Sequence, residues 1–288
     1  MLMKKYTYLL MIMALILLAG CRGGAKVITQ AEGFDFEEMK QSSWAVGGVF
    51  LNKDFVPDGA AQKELQPFLT PWNGVSEVLS PMLYGGLLRV APEMELWTFD
   101  TVFSRVPEVE LKELAEELAN SREPAPGKIK NLTESLAKVR YVVFARVDDT
   151  QLDTNEDMAS SVVDQMNRDG REPHANTLAR TVSIRRGVFM SMEVYDLQTG
   201  IKVWSGEADH WDEVLLTGEA NEQSRGVQVL RDGEDSEVTQ ILLDGIMRNG
   251  PSLLAGIRET CAKLANEMNT RQDWKPGEEN VSGRETPL

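Results

Sequence analysis

The side chains able to do acid-base or metal chemistry are few. The chain has two histidines in 288 residues, His174 and His210. His174 falls in a polar stretch and is expected to be solvated. His210 sits in Asp209-His210-Trp211-Asp212-Glu213, where carboxylates flank an imidazole and a metal near His210 is conceivable. On a strand, however, neighbours one apart point to opposite faces, so Asp209 and Trp211 are not expected to converge with His210 on one ion. Asp153, Asn155 and Asp157 repeat the opening of a calcium loop. Met158 then stands where the turn needs glycine, and Asp164 where the loop needs a bidentate glutamate. Gly47-Gly48 and Gly85-Gly86 lack the lysine and spacing of a phosphate cradle, and no nucleophile elbow is present. No catalytic, cofactor-binding or metal residue is therefore assigned. Paired carboxylates carry no weight in so acidic a chain.

The two cysteines differ in kind. Lys4 and Lys5 precede an apolar run, Tyr8 to Leu18, too short to span a bilayer comfortably, and Leu18-Ala19-Gly20-Cys21 closes it. That ending resembles the lipobox of bacterial lipoproteins. The resemblance implies a diacylglyceryl thioether on Cys21, cleavage before it, and an acyl chain on the new amine, which together anchor stably. Arg22 follows. In Gram-negative lipoproteins an aspartate at that place commonly means retention at the inner membrane, so arginine leans toward the periplasmic face of the outer membrane. Cys261, on an apolar helical face, has no remaining disulfide partner and is expected to be a packed thiol.

The chain carries 30 Lys plus Arg against 45 Asp plus Glu. Loss of residues 1 to 20 removes Lys4 and Lys5 and no acid, leaving 28 basic against 45 acidic residues, or −17. Such a chain repels nucleic acid and anionic lipid surfaces. A 42% hydrophobic content is enough for a core.

Ser183 to His210 organises the rest. Val188, Met190, Met192 and Val194 alternate with Ser191 and Glu193, the period of a half-buried strand. Asp196-Leu197-Gln198-Thr199-Gly200 makes a turn with Gly200 at positive φ, pairing Asp196 with Ile201, Val194 with Val203 and Glu193 with Trp204. Ahead of it, Ser43 to Leu51 reads as a strand with a bulge at Gly47-Gly48. Val75, Val78, Leu79, Met82 and Leu83 read as a helix kinked or split after Ser80 by Pro81, and Leu96 to Phe103 as a second strand. Pro107 opens a helix whose stripe is Leu111, Leu114, Ala115 and Leu118. After the breakers Arg122 to Gly127 comes a helix, Asn131 to Val139, and then an interior strand from Tyr141 to Val147, apolar on both faces. Asp148 to Arg180 is a long polar excursion, either mobile, folded into a small helix around Val162 to Met166, or an interaction element. Gly218 to Ser236 is a second, acidic one. Leu254, Ile257, Cys261, Leu264 and Met268 stripe a last helix opened by Gly250-Pro251.

These elements call for an α/β fold, a single mixed sheet with helices packed on it and long acidic loop insertions at 148–180 and 218–236. The expected divisions are a lipoprotein signal peptide at 1–20, a lipidated tether at 21–42, the α/β domain at 43–272 and a flexible tail at 273–288. The lipobox at Cys21, the strand ending near Leu51, the helix leading into Tyr141-Val-Val-Phe-Ala-Arg-Val and the hairpin Met192 to Trp204 resemble a superfamily of bacterial lipoproteins. It includes the curli-secretion lipoprotein, the activators of penicillin-binding proteins and the amino-terminal domain of the Tol translocation protein. The resemblance implies a non-catalytic, lipid-anchored periplasmic adaptor or envelope-assembly protein. It would present its sheet edge or acidic loops to an envelope protein partner, with no cofactor beyond the lipid on Cys21. The alternatives are a homo-oligomeric subunit of a secretion or assembly ring, and, from another class, an envelope hydrolase or metal enzyme.

Overall fold

A computed structural model describes residues 25–158, 179–219 and 250–270. Six strands form one mixed sheet in the order β1-β6-β5-β4-β2-β3: β1 Ala25–Gln30, β2 Trp44–Leu51, β3 Leu96–Trp97, β4 Tyr141–Met158, β5 Ala179–Asp196 and β6 Lys202–Glu219. Among the described residues seven α-helices pack on it: α1 Phe36–Met39, α2 Gly59–Leu65, α3 Gly74–Val90, α4 Phe99–Phe103, α5 Glu108–Ala119, α6 Pro126–Ser135 and α7 Leu253–Thr270.

Strand alternation feeds two cores. One face of the sheet, here the deep face, sends Val143, Ala145, Val147, Val188, Met190, Met192 and Val194 against α3 and α7. The other sends Val142, Phe144 and Tyr195 against α5 and α6. Tyr141 to Val147 is thus an interior strand covered on both sides, as its unbroken apolar run requires. The helical stripes meet the sheet as expected, with Leu111, Leu114 and Leu118 on α5 and Ile257, Cys261, Leu264 and Met268 on α7 all buried.

The bulge in β2 falls between Val46 and Gly48, where Gly48 has φ +144°. The side-chain hydroxyls of α3 engage the backbone just beyond it: Ser76 donates to the Val49 carbonyl (2.7 Å) and Ser80 accepts from the Val49 amide (3.2 Å). Helix α3 runs on through Pro81 as one element rather than splitting after Ser80.

Several expectations are corrected. Leu96 to Phe103 is a two-residue strand followed by a helix, because Thr98 caps α4 by accepting from the Thr101 amide (3.3 Å). The helix expected from Asn131 begins at Pro126, the proline of the breaker run occupying its first turn. The polar run taken as a tether is folded from Ala25 onward: β1 pairs with β6, and Phe34, Phe36 and Met39 are buried. Its amphipathic pattern is short and its burial comes from distant partners, which a local reading does not register. In the hairpin, Gly200 has φ +72° and Asp196 Oδ1 accepts from the amides of Gln198 (2.8 Å) and Thr199 (3.4 Å). Asp196 meets Ile201 as expected, but a bulge between Val194 and Tyr195 shifts the register, so that Val194 faces Trp204 and Glu193 faces Ser205.

Candidate interaction surface

Beyond the body, β4, β5 and β6 continue as a three-stranded arm, which takes up Asp149 to Met158, Ala179 to Phe189 and Asp209 to Glu219. Parts of the two excursions read as loops are therefore strand: 149–158, 179–180 and 218–219 are paired, and 159–178 and 220–236 lie outside the described residues. Among the described residues, β5 is the one strand that pairs with β4 beyond Val147 and with β6 beyond Ala208, since the described pairing of β2 ends at Val147 and that of β1 at Ala208. Among the described residues, the arm therefore has two free edges.

Its root is a buried ionic knot on the deep face. Arg186, 1% exposed, donates from Nη1 (2.5 Å) and Nη2 (3.1 Å) to the Asp58 carboxylate, from Nε to the Pro251 carbonyl (2.8 Å) and from Nη1 to Thr150 Oγ1 (3.4 Å). Asp58 also caps α2 through the amides of Ala60 and Ala61, both at 3.0 Å. Burial by itself would raise the Asp58 carboxyl, but the Arg186 hydrogen bonds and those two amides outweigh it and hold the group below the usual carboxylate range. Beside the knot, the Glu64 carboxylate closes the start of α7, accepting from the amides of Leu253 (3.1 Å) and Leu254 (3.2 Å) and the Ser252 hydroxyl (2.9 Å).

The opposite face, here the open face, is covered by α5 and α6 as far as Tyr195 at the end of β5, and among the described residues its apolar cluster includes no residue of β6 or β1. Its cross-strand rows are polar and paired: Lys26 with Glu207 (3.2 Å), Thr29 with Ser205 (2.6 Å), and Glu193 with Lys202 (3.3 Å) and with the Tyr195 hydroxyl (2.6 Å). Burial and then the Glu193 charge push the Tyr195 hydroxyl far up, so it stays protonated and donates to Glu193. A cleft of about 480 Å³ opens where body meets arm, with Lys26, Arg146, Asp148, Phe189 and Glu207 among its walls. Arg146 is already committed there to Asp148 (2.5 Å) and the Leu118 carbonyl (2.9 Å). On the arm, one row reads Asp153, Arg185, Glu213, an acid-base-acid ladder. The Arg185 guanidinium lies 5.2 Å from the centroid of the Trp211 ring, which meets Phe189 edge-on at 5.8 Å and 90°.

The sequence candidates are dispersed over this surface. Asp153, Asn155 and Asp157 alternate along β4 opposite Arg185, Ser183 and Thr181, so they form a strand and not a calcium loop. His210 Nε2 meets Asp212 Oδ1 at 2.9 Å, the residue two positions on, while Trp211 turns to the other face. Among the described residues no three His, Cys, Asp or Glu side chains converge on one point. Cys261 is fully buried, and burial pushes its thiol up to about 12. Cys21 and His174 lie outside the described residues, as do the helix expected around Val162 to Met166 and the tail 273–288. Sequence reasoning missed the Arg186–Asp58 knot, whose partners are 128 residues apart. It also missed the Arg185–Trp211 pair, although the alternation of β5 extended backwards through Arg185 and Ser183 carried the signal. Among the described residues no helix is long and apolar enough to cross a membrane.

The chain matches no protein-family model and no curated protein. Among solved structures, it is similar to the PelC dodecamer from Paraburkholderia phytofirmans, at 13% identity and a TM-score of 0.32 over 87% of this chain and 100% of that one. It is also similar to the LpoB C-terminal domain from Salmonella enterica (12% identity, TM-score 0.23, 62% of this chain and 90% of that one). A third is lipoprotein GNA1162 from Neisseria meningitidis (10%, 0.25, 72% and 96%). Scores this low carry no argument about function.

Proposed function

We propose that this chain is a lipid-anchored adaptor or assembly protein of the bacterial envelope, held at the periplasmic face of the outer membrane through Cys21 and acting by protein contact without catalysis of its own. One observation carries the reading: a lipobox-like Leu18-Ala19-Gly20-Cys21 ends four residues before Ala25, where the described sheet begins, and among the described residues the arm of that sheet offers unpaired edges. An extended segment added to the β4 edge would satisfy backbone groups left open there, and side chains such as Asp149 and Asp153 would set which segment fits. The test has two parts. Intact mass of the purified protein is expected to show an acylated Cys21, and Cys21→Ser to release the chain from the envelope. A photo-crosslinker at Asp153 is expected to give a discrete adduct in cells that the same group at Lys130, on α6, does not. An unmodified amino terminus, or identical adducts from both positions, would overturn the reading.

The same free edges favour a second reading, a ring subunit in which the β4 edge of one copy pairs with the β6 edge of the next. Native mass at several concentrations separates the two: a closed oligomer supports the ring, a monomer the adaptor.

A further inference from the structure

Strand β1 runs antiparallel to β6, with Ala25 opposite Ala208 and Gln30 opposite Trp204. The chain therefore enters the sheet from the arm end, and the turn at Asp196 to Gly200 lies at the far end. Ala25 is four residue steps after Cys21, which spans at most about 14 Å. From Asp209 to Glu219 the arm continues for 11 residues, roughly 36 Å at strand rise. Were the arm to stand upright on the bilayer, its tip would lie on the order of 20 Å inside the hydrocarbon. The arm does not suit that place. Its edges hold backbone groups without a partner strand among the described residues, and the Asp153-Arg185-Glu213 row crosses it, both costly in lipid.

We infer that the arm lies along the bilayer surface with its open face, bearing Phe189, Trp211 and Arg185, against zwitterionic phospholipid headgroups. This rests on the acylated Cys21 of the proposed function and goes further, because it fixes how the domain sits. The deep face is excluded at the root of the arm by Pro251 and α2, which cover Arg186 there. On the open face nothing described covers Trp211, and an aromatic ring with a polar end suits the headgroup layer. The acid-base-acid row selects the lipid. Arg185 offers a guanidinium to phosphate, Asp153 and Glu213 offer carboxylates to the headgroup ammonium, and the net charge of the chain disfavours anionic lipid.

The experiment uses the full lipidated protein in nanodiscs of phosphatidylethanolamine and phosphatidylcholine with a nitroxide-bearing lipid. A fluorophore is placed on one added cysteine at a time: Gln151→Cys on the open face of the arm, Gln62→Cys on α2 near the same end but on the deep side, and Gln198→Cys in the far turn. All three positions are exposed, and Cys261 is buried. The label at 151 is expected to be quenched by the lipid far more than those at 62 and 198, and less so when half the lipid is anionic. Strongest quenching at 62 or 198 would overturn the inference. So would a label at 151 shielded from both the lipid and an aqueous quencher, which would mean that a second copy covers the face. If mass shows Cys21 unmodified, the anchor itself fails. If Cys21 is acylated and 151 stays unquenched, only the orientation fails.

Discussion

The same three strands behave as two different materials along their length. In the body, β4 from Tyr141 to Val147 is pressed between helices on both faces, while β5 from Met190 to Asp196 and β6 from Lys202 to Ala208 bury their deep-face side chains, Met190, Met192, Val194, Trp204 and Ala208, in the helical core. Past the bulge between Val147 and Asp149 the same strands run on as the arm, with one open face and two free edges. Hydrogen-bond ladders are continuous through both halves. What changes is the cover, so cover and not pairing decides which part is scaffold and which is surface.

The largest expected contrast is chemical. Cys261 packs into the body with its thiol raised from 9 to about 12, so its thiolate fraction near pH 8 should fall roughly a thousandfold below that of a free thiol. Alkylation of the native protein should spare Cys261 while modifying a Gln151→Cys probe on the arm, and mass spectrometry reads both. Equal rates would mean that α7 is not docked as described.

Next comes the knot that joins the halves. Arg186→Ala leaves the partly buried Asp58 carboxylate without its guanidinium partner and should cost about 3–5 kcal/mol, measured by denaturant unfolding. The pH dependence follows from the same pair. Asp58 titrates lower in the folded state than in the unfolded chain, so its contribution is fully present above about pH 4 and is lost as pH falls through the folded value. Asp58→Asn should flatten that acid slope. An unchanged slope would mean that other carboxylates carry it.

Two glycines sharpen the comparison. A Cβ on Gly47 would enter the Phe144 ring in the closed body, so Gly47→Ala should cost about 1–3 kcal/mol. At Gly187 it would meet the Trp211 ring at 2.8 Å, on the open face where the indole is free to swing outward, so Gly187→Ala should cost less than about 1 kcal/mol. Equal costs would show that the open face is packed. Smallest of all, Lys26→Ala breaks an ion pair whose side chains are 60% and 52% exposed and should stay within about 0.5 kcal/mol.

Much of the fold was legible locally. The stripe of Leu111, Leu114 and Leu118, the alternation from Val188 to Val194 and the Asp196 to Gly200 turn each satisfy a short-range rule, and each stands as read. The misreadings share one cause. Ala25 to Gln30 looks like a tether because its partner strand is some 180 residues away, and Asp148 to Met158 looks like a loop because a strand open on one face has little apolar patterning to show. Of the candidate surface, the strand geometry expected around His210 is present, and Asp153, Asn155 and Asp157 lie along β4. The Arg186 knot had no local trace, because Asp58 lies 128 residues away.

By itself the sequence determined the periodicities, the turn chemistry, the acidic surface and a lipobox-like segment ending at Cys21, all set by residues within a few positions of one another. Tertiary structure alone decided that β1 closes the sheet edge, that Arg186 finds Asp58, and that three strands outrun their helices to make an arm. Those outcomes depend on which distant surfaces bury one another, and burial is a property of the assembled chain that no short window of residues contains.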